Sequence, residues 1–224
     1  MTRIKICGIT NLEDARWAAQ CGADAIGFVF ADSPRRITPE HAGQIVREIE
    51  PFIAAVGVFV DWPVEQVRET MRVSGCTVAQ LHGNEDGEYI ESLAPCAAIK
   101  AMRVTDGIDR AALARRRMAR AILLDTYVDG KAGGTGQRFD LSIAAELVQD
   151  GWRVIVAGGL TAQNVGEVVS TVRPYGVDVS SGVEREPGRK EPDKVAEFIA
   201  AVRAADGPAS AGSQTCGRYP HGGS

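Results

Sequence analysis

Short apolar runs of strand length alternate with helix-length amphipathic stretches along nearly the whole chain, and few folds accept that alternation. The strand-like runs are Arg3–Cys7, Ala25–Phe30, Ala54–Val60, Thr77–His82, Ala97–Met102, Ala121–Asp125, Arg153–Ala157 and Val177–Ser180. The first predicted helix runs from a cap at Asn11 to about Cys21, closed by Gly22, and the second starts at Thr38-Pro39. The others are predicted from near Pro63 to before Gly75, over Glu85–Leu93, Asp109–Arg117 and Leu141–Gln149, from Thr161 to about Val172, and over Pro192–Ala205. Strand–helix units repeated in this way predict the α/β class and a single (β/α)8 TIM barrel over residues 1–206, slightly shorter than the usual ~250. An open doubly wound sheet is the alternative, but it usually has fewer strands and a phosphate turn after the first one, whereas the glycine-rich turns here come late. Residues 207–224 turn to Gly, Ser, Pro and Ala with little to bury, which predicts a disordered tail.

Composition narrows the class of function. At 45% apolar and 24% charged content, 224 residues can bury a proper core. A formal net charge of -4 gives no general attraction to nucleic acid or to an anionic membrane. No apolar run approaches the ~20 residues of a membrane span, and the N-terminus has no signal-peptide pattern. The cysteines Cys7, Cys21, Cys76, Cys96 and Cys216 are widely separated and odd in number, against a zinc site or a disulfide scaffold and in favour of a reducing cytosol. A cytoplasmic monomer or homodimer acting on a small molecule, with no metal, is expected.

The opening strand carries unusual content. Side chains alternate faces, so Arg3, Lys5 and Cys7 share one side while Ile4 and Ile6 suit a layer of covering helices. Barrel closure makes the first and eighth strands neighbours, so an inward Lys5 should meet an inward Asp178, and a buried charge needs such a partner. Gln80 and His82 share a face of the fourth strand, and Leu123 and Asp125 one of the sixth. The inward layer near the C-terminal rim, where active sites of this fold sit, is therefore predicted to hold Cys7, His82, Asp125, Asp178 and Ser180. Lys5, roughly 6–7 Å back along the strand, favours the Cys7 thiolate. A thiolate there can act as nucleophile or as base, and both remain open. His82 is read as lining.

Glycine-rich turns follow the last three strands: Gly133-Gly134-Thr135-Gly136, Gly158-Gly159 and Ser181-Gly182. Glycine lets backbone N–H groups approach an anion closely, and loops after strands seven and eight form a recurrent phosphate site in this fold. Gly134, Thr135, Gly136, Gly158, Gly159, Ser181 and Gly182 thus predict a phosphorylated small substrate. In the loop Ser33-Pro34-Arg35-Arg36 over the barrel mouth, one arginine held against a proline can fork onto a substrate carboxylate.

Lys5-Ile6-Cys7-Gly8-Ile9-Thr10, Gly27-Phe28-Val29-Phe30, Ser33-Pro34-Arg35, Gln80-Leu81-His82-Gly83, Leu124-Asp125-Thr126, Gly133-Gly134-Thr135-Gly136, Gly158-Gly159-Leu160 and Asp178-Val179-Ser180-Ser181-Gly182-Val183-Glu184 occur in this order. Together they closely resemble the phosphoribosylanthranilate isomerases of tryptophan biosynthesis, from about Met1 to Ala205. The resemblance implies a cofactor-free Amadori rearrangement of N-(5-phosphoribosyl)anthranilate, an aminoaldose, to 1-(2-carboxyphenylamino)-1-deoxyribulose 5-phosphate, an aminoketose. The family's general base matches Cys7, its general acid Asp125 and its anthranilate-carboxylate arginine Arg35. Other phosphosugar barrels, such as a metal-dependent pentulose-phosphate epimerase or indole-glycerol-phosphate synthase, and a catalytically dead phosphate-binding module are the competing readings.

Overall fold

The computed structural model describes residues 1–103, 113, 118–125 and 141–207. The strands are β1 (Arg3–Cys7), β2 (Ala25–Val29), β3 (Ala54–Phe59), β4 (Val78–Leu81), β5 (Ala97–Arg103), β6 (Ala121–Asp125), β7 (Val154–Ala157) and β8 (Gly176–Val179), and they close into one barrel in chain order. Every neighbouring pair in it is parallel. The described helices are α1 (Leu12–Gln20), α2 (Pro39–Glu48), α3 (Val64–Ser74), α4 (Gly87–Ser92), α5 (Leu141–Gln149), α6 (Val165–Val172) and α7 (Pro192–Ala205). The predicted helix Asp109–Arg117, the turn Gly133–Gly136 and the tail beyond Gly207 lie outside the described residues, Leu113 excepted.

Local signals place the helix starts. Asn11 Oδ1 accepts from the Asp14 amide at 2.9 Å and Thr38 Oγ1 from the His41 amide at 3.2 Å, each satisfying an amide the helix leaves without a partner. Two starts differ from expectation. α4 begins at Gly87 under an Asp86 cap because the Glu85 carboxylate is taken by Lys100 and by the Asp61 and Gly83 amides. α6 begins at Val165, not Thr161, because Asn164 Oδ1 captures the Thr161 amide at 2.8 Å and forms a separate turn.

The apolar residues form two bodies. The larger fills the layer between sheet and helices and includes Ile4, Ile6, Phe28, Leu124 and Phe198. The smaller lies inside the barrel on β5, β6 and β7, built from Ile99, Ala101, Ala121, Leu123, Ile155 and Ala157. On the remaining strands, β4 and β8 beside it and β1 beyond β8 bury Gln80, Asp178 and Lys5. The barrel interior thus combines an apolar cluster on β5, β6 and β7 with buried polar side chains on β1, β4 and β8.

After β8 the chain does something no periodicity announces. Ser181–Val183 makes a 3-10 turn, and Glu184–Glu186 (β9) pairs antiparallel with Arg189–Lys190 (β10) before α7. The Ser181-Gly182 turn therefore leads into a small hairpin that reaches back to β1. Thr10 Oγ1 donates to the Gly188 carbonyl and the Lys190 amide donates to Asp14 Oδ2 at 2.9 Å.

Candidate active site

The C-terminal rim opens into a cleft of about 540 Å³. Cys7 and Asp125 reach it as the last residues of β1 and β6, and His82 follows β4. Gly158 and Gly159 enter from the turn after β7, and Asp178, Ser180, Ser181 and Gly182 from β8 and its 3-10 turn. Arg35 comes from the loop after β2, whereas Arg36 does not line the cleft. Gly134, Thr135 and Gly136 fall outside the described residues. Residues from separate parts of the sequence are thus brought to one cavity.

Lys5 faces inward beside Cys7 and donates to both Asp178 oxygens at 3.0 Å. Burial alone would lower the Lys5 ammonium, but the Asp178 carboxylate and the Cys7 sulfur outweigh it and hold it protonated. For Cys7 the balance goes the other way. Burial pushes the thiol up, and the opposing pull of Lys5, whose charge is shared with Asp178, is too small to reverse it. Lys5 thus favours the thiolate, as the sequence suggests, but burial outweighs that pull and the Cys7 thiol lies above its ordinary range. Gly27 on β2 makes room for both groups, since a Cβ there would lie 2.8 Å from Cys7 Sγ and 2.9 Å from Lys5 Cε.

Arg35 is oriented by a residue that sequence reasoning missed. Its Nε donates to Glu184 Oε1 at 2.9 Å and its Nη2 to Oε2 at 2.7 Å, a two-pronged pair. Glu184 Oε1 also accepts from Lys190 Nζ at 2.8 Å. Burial would raise the Glu184 carboxyl, yet these two cations keep it below the usual carboxylate range. Lys190 spends its other donors on the carbonyls of Cys7 at 2.6 Å and Ser180 at 3.3 Å, so it staples the ends of β1 and β8 to the hairpin. Gly8, at φ +78, lets the Arg35 side chain cross over it: a Cβ would meet Arg35 Cδ at 2.6 Å.

The two glycine turns are packed against each other. A Cβ on Gly182 would overlap the Leu160 carbonyl oxygen, and Gly158 and Gly159 both have positive φ, at 90° and 63°. The Gly159 amide donates to no backbone carbonyl among the described residues. His82 stands between Gln80 and Asp125, its Nδ1 3.3 Å from Gln80 Nε2 and its Nε2 3.2 Å from Asp125 Oδ2.

The family model for N-(5'-phosphoribosyl)anthranilate (PRA) isomerase matches residues 4–201. The chain belongs to the PRA isomerase family. It is 47% identical to the enzyme of that name from Moorella thermoacetica over 206 residues, covering 92% of each chain. The Thermotoga maritima PRA isomerase superposes with a TM-score of 0.81 at 41% identity, covering 91% of this chain and 100% of that one. A further PRA isomerase, solved with reduced 1-(o-carboxyphenylamino)-1-deoxyribulose 5-phosphate, matches with a TM-score of 0.78 at 39% identity, covering 91% of this chain and all of that one. Membership makes the chain an isomerase of the aldose–ketose kind, in tryptophan biosynthesis. Among the described residues no helix is long and apolar enough to cross a membrane.

Proposed function

We propose that the chain converts N-(5-phosphoribosyl)anthranilate to the corresponding aminoketose by two proton transfers, with Asp125 as general acid and Cys7 as general base. The observation that carries this reading is the meeting of Cys7, Asp125, Arg35 and two glycine turns in one cleft. Un-ionised Asp125 gives its proton to the furanose ring oxygen, and the ring C–O bond breaks to leave a Schiff base between C1 and the anthranilate nitrogen. Cys7, as thiolate beside Lys5, then removes the proton from C2 to give an enolamine. Tautomerisation of the enolamine gives the ketone.

The ends of the cleft suit the ends of this substrate. Gly158, Gly159, Ser181 and Gly182 hold the phosphate through backbone amides, together with Gly134, Thr135 and Gly136. Arg35, already oriented by Glu184, forks onto the anthranilate carboxylate through the edge it does not use internally. Two buried acceptors lining the cleft, Gln80 Oε1 and Ser180 Oγ, have no hydrogen-bond partner among the described residues, and sugar hydroxyls supply what they lack. Clamps at both ends hold C1 and C2 in place for both transfers.

Substrate consumption, followed as the loss of anthranilate-derivative fluorescence, tests the assignment. Cys7→Ala and Asp125→Asn should each lower turnover by about 10²–10⁴-fold while the fold and substrate binding survive. Near wild-type turnover in either variant would remove that residue from its role. Proton transfers alone complete the reaction, so activity should persist undiminished in a chelator, which separates this reading from a metal-dependent epimerase.

A further inference from the structure

Gln80 is only 1% exposed, yet it lines the cleft from β4. Its Nε2 lies 3.3 Å from His82 Nδ1. An amide nitrogen can only donate, so Nδ1 is the accepting nitrogen and the ring carries its proton on Nε2. That N–H points at Asp125 Oδ2, 3.2 Å away. Turned over, the amide would present its oxygen to Nδ1. The ring proton would move to Nδ1, and Nε2 would meet Asp125 as a bare lone pair.

The stranded atoms decide between the two orientations. With Nε2 toward His82, the atom without a partner among the described residues is Oε1, an acceptor. In the other orientation two N–H donors would be stranded at the same buried point. Orphaned N–H groups are rarer in folded proteins than under-satisfied carbonyls, and a substrate hydroxyl can satisfy an acceptor in the cleft.

We propose that Gln80 is a positioning residue for the isomerisation, locking His82 as the Nε2–H tautomer so that the Asp125 carboxyl meets a donor. This rests on the reading of Asp125 as general acid. When Asp125 gives its proton to the ring oxygen and the C–O bond breaks, the carboxylate left behind already has His82 Nε2–H against it. No dipole has to reorient as that charge appears. A bare Nε2 in the same place would repel the carboxylate and draw the acid proton toward itself.

The test uses the full chain with ¹⁵N-labelled histidine and long-range ¹H–¹⁵N spectra, which report the protonated ring nitrogen. His82→Asn identifies the His82 signals among the three histidines by their loss. Wild type should show Nε2 protonated and Nδ1 bare. Gln80→Glu places an acceptor at Nδ1 and should put a proton there, with turnover lower by about tenfold or more and KM within about threefold. Gln80→Met keeps the volume without a donor and should leave a mixture of tautomers and an intermediate turnover. A wild-type ring protonated on Nδ1, an unchanged ring in Gln80→Glu, or a switched ring with unchanged turnover would each overturn the proposal. Should both variants fail to fold, the wild-type spectrum alone decides. An active Asp125→Asn would instead defeat the acid assignment while leaving the ring assignment standing, so the two failures are told apart.

Discussion

Lys5 and Asp178 face each other across the seam where the barrel closes, on paired positions of β1 and β8, with the ammonium 3.0 Å from both carboxylate oxygens. Both side chains are more than nine-tenths buried, at 6% and 8% exposure. Removing one partner strands the other charge, whereas replacing both removes the need for pairing. Lys5→Met should therefore cost about 3–5 kcal/mol in urea unfolding. The double variant Lys5→Met/Asp178→Leu should recover most of that loss. A Lys5→Met protein as stable as wild type would mean the pair does not close the seam.

The same lysine sets the alkaline behaviour of Cys7. Burial raises the thiol and Lys5 only moderates the rise, so the thiolate should form above the ordinary ~8.5 of a cysteine. In a variant with Cys21, Cys76, Cys96 and Cys216 changed to serine, alkylation of Cys7 should keep climbing past about pH 9. Adding Lys5→Met should displace the curve to still higher pH. A plateau reached below about pH 8 would show that the lysine outweighs burial.

How far the sequence revealed this arrangement depends on the range of the interaction. Strand parity alone puts Lys5, Cys7, Asp178 and Ser180 inside, because alternation is a local rule and closure in chain order supplies the neighbours. Gln80 and His82 are legible as sharing a face, but the direction of their hydrogen bond is not, since it depends on the amide and on Asp125 from β6. The hairpin Glu184–Lys190 leaves almost no trace. Its strands are three and two residues long and charged, and it is held by Lys190 bonding to the carbonyls of Cys7 and Ser180. An exposed-looking lysine in a charged stretch is thereby one of the most buried side chains, and only the folded chain shows why.

Glu184 links that hairpin to Arg35, the residue proposed to bind the substrate carboxylate. With its carboxyl held below the usual range in the folded state, the ionised pairs with Arg35 and Lys190 add stability that is fully present above the unfolded value near ~4.3. That stability is lost as the pH falls through the lower folded value. Glu184→Gln should remove part of it, about 1–3 kcal/mol at neutral pH, and flatten the acid limb of stability against pH. Freed from its two-pronged partner, Arg35 should bind the substrate carboxylate less well, raising KM by about tenfold with a smaller change in kcat. An unchanged KM would place the substrate carboxylate elsewhere.

Gly27 lies beside Cys7 and Lys5 and does not line the cleft, so its replacement separates placement of the proposed base from chemistry. A Cβ there would lie 2.8 Å from Cys7 Sγ, 2.9 Å from Lys5 Cε and 3.1 Å from Lys5 Nζ, closer than such atoms pack. Its φ is not in the left-handed region, so the strain of Gly27→Ala is one of space alone. Overpacking of this kind costs about 1–3 kcal/mol, and the sulfur is the freer of the groups to move. A shift of ~1 Å at the base should lower kcat by about a hundredfold. Gly166→Ala is the control, on α6, where a Cβ meets only Ala205 Cβ at 3.9 Å. It should raise stability by about 0.5–1 kcal/mol and leave kcat alone. If Gly27→Ala behaved like this control, with full turnover, Cys7 would not be held where β2 leaves room for it.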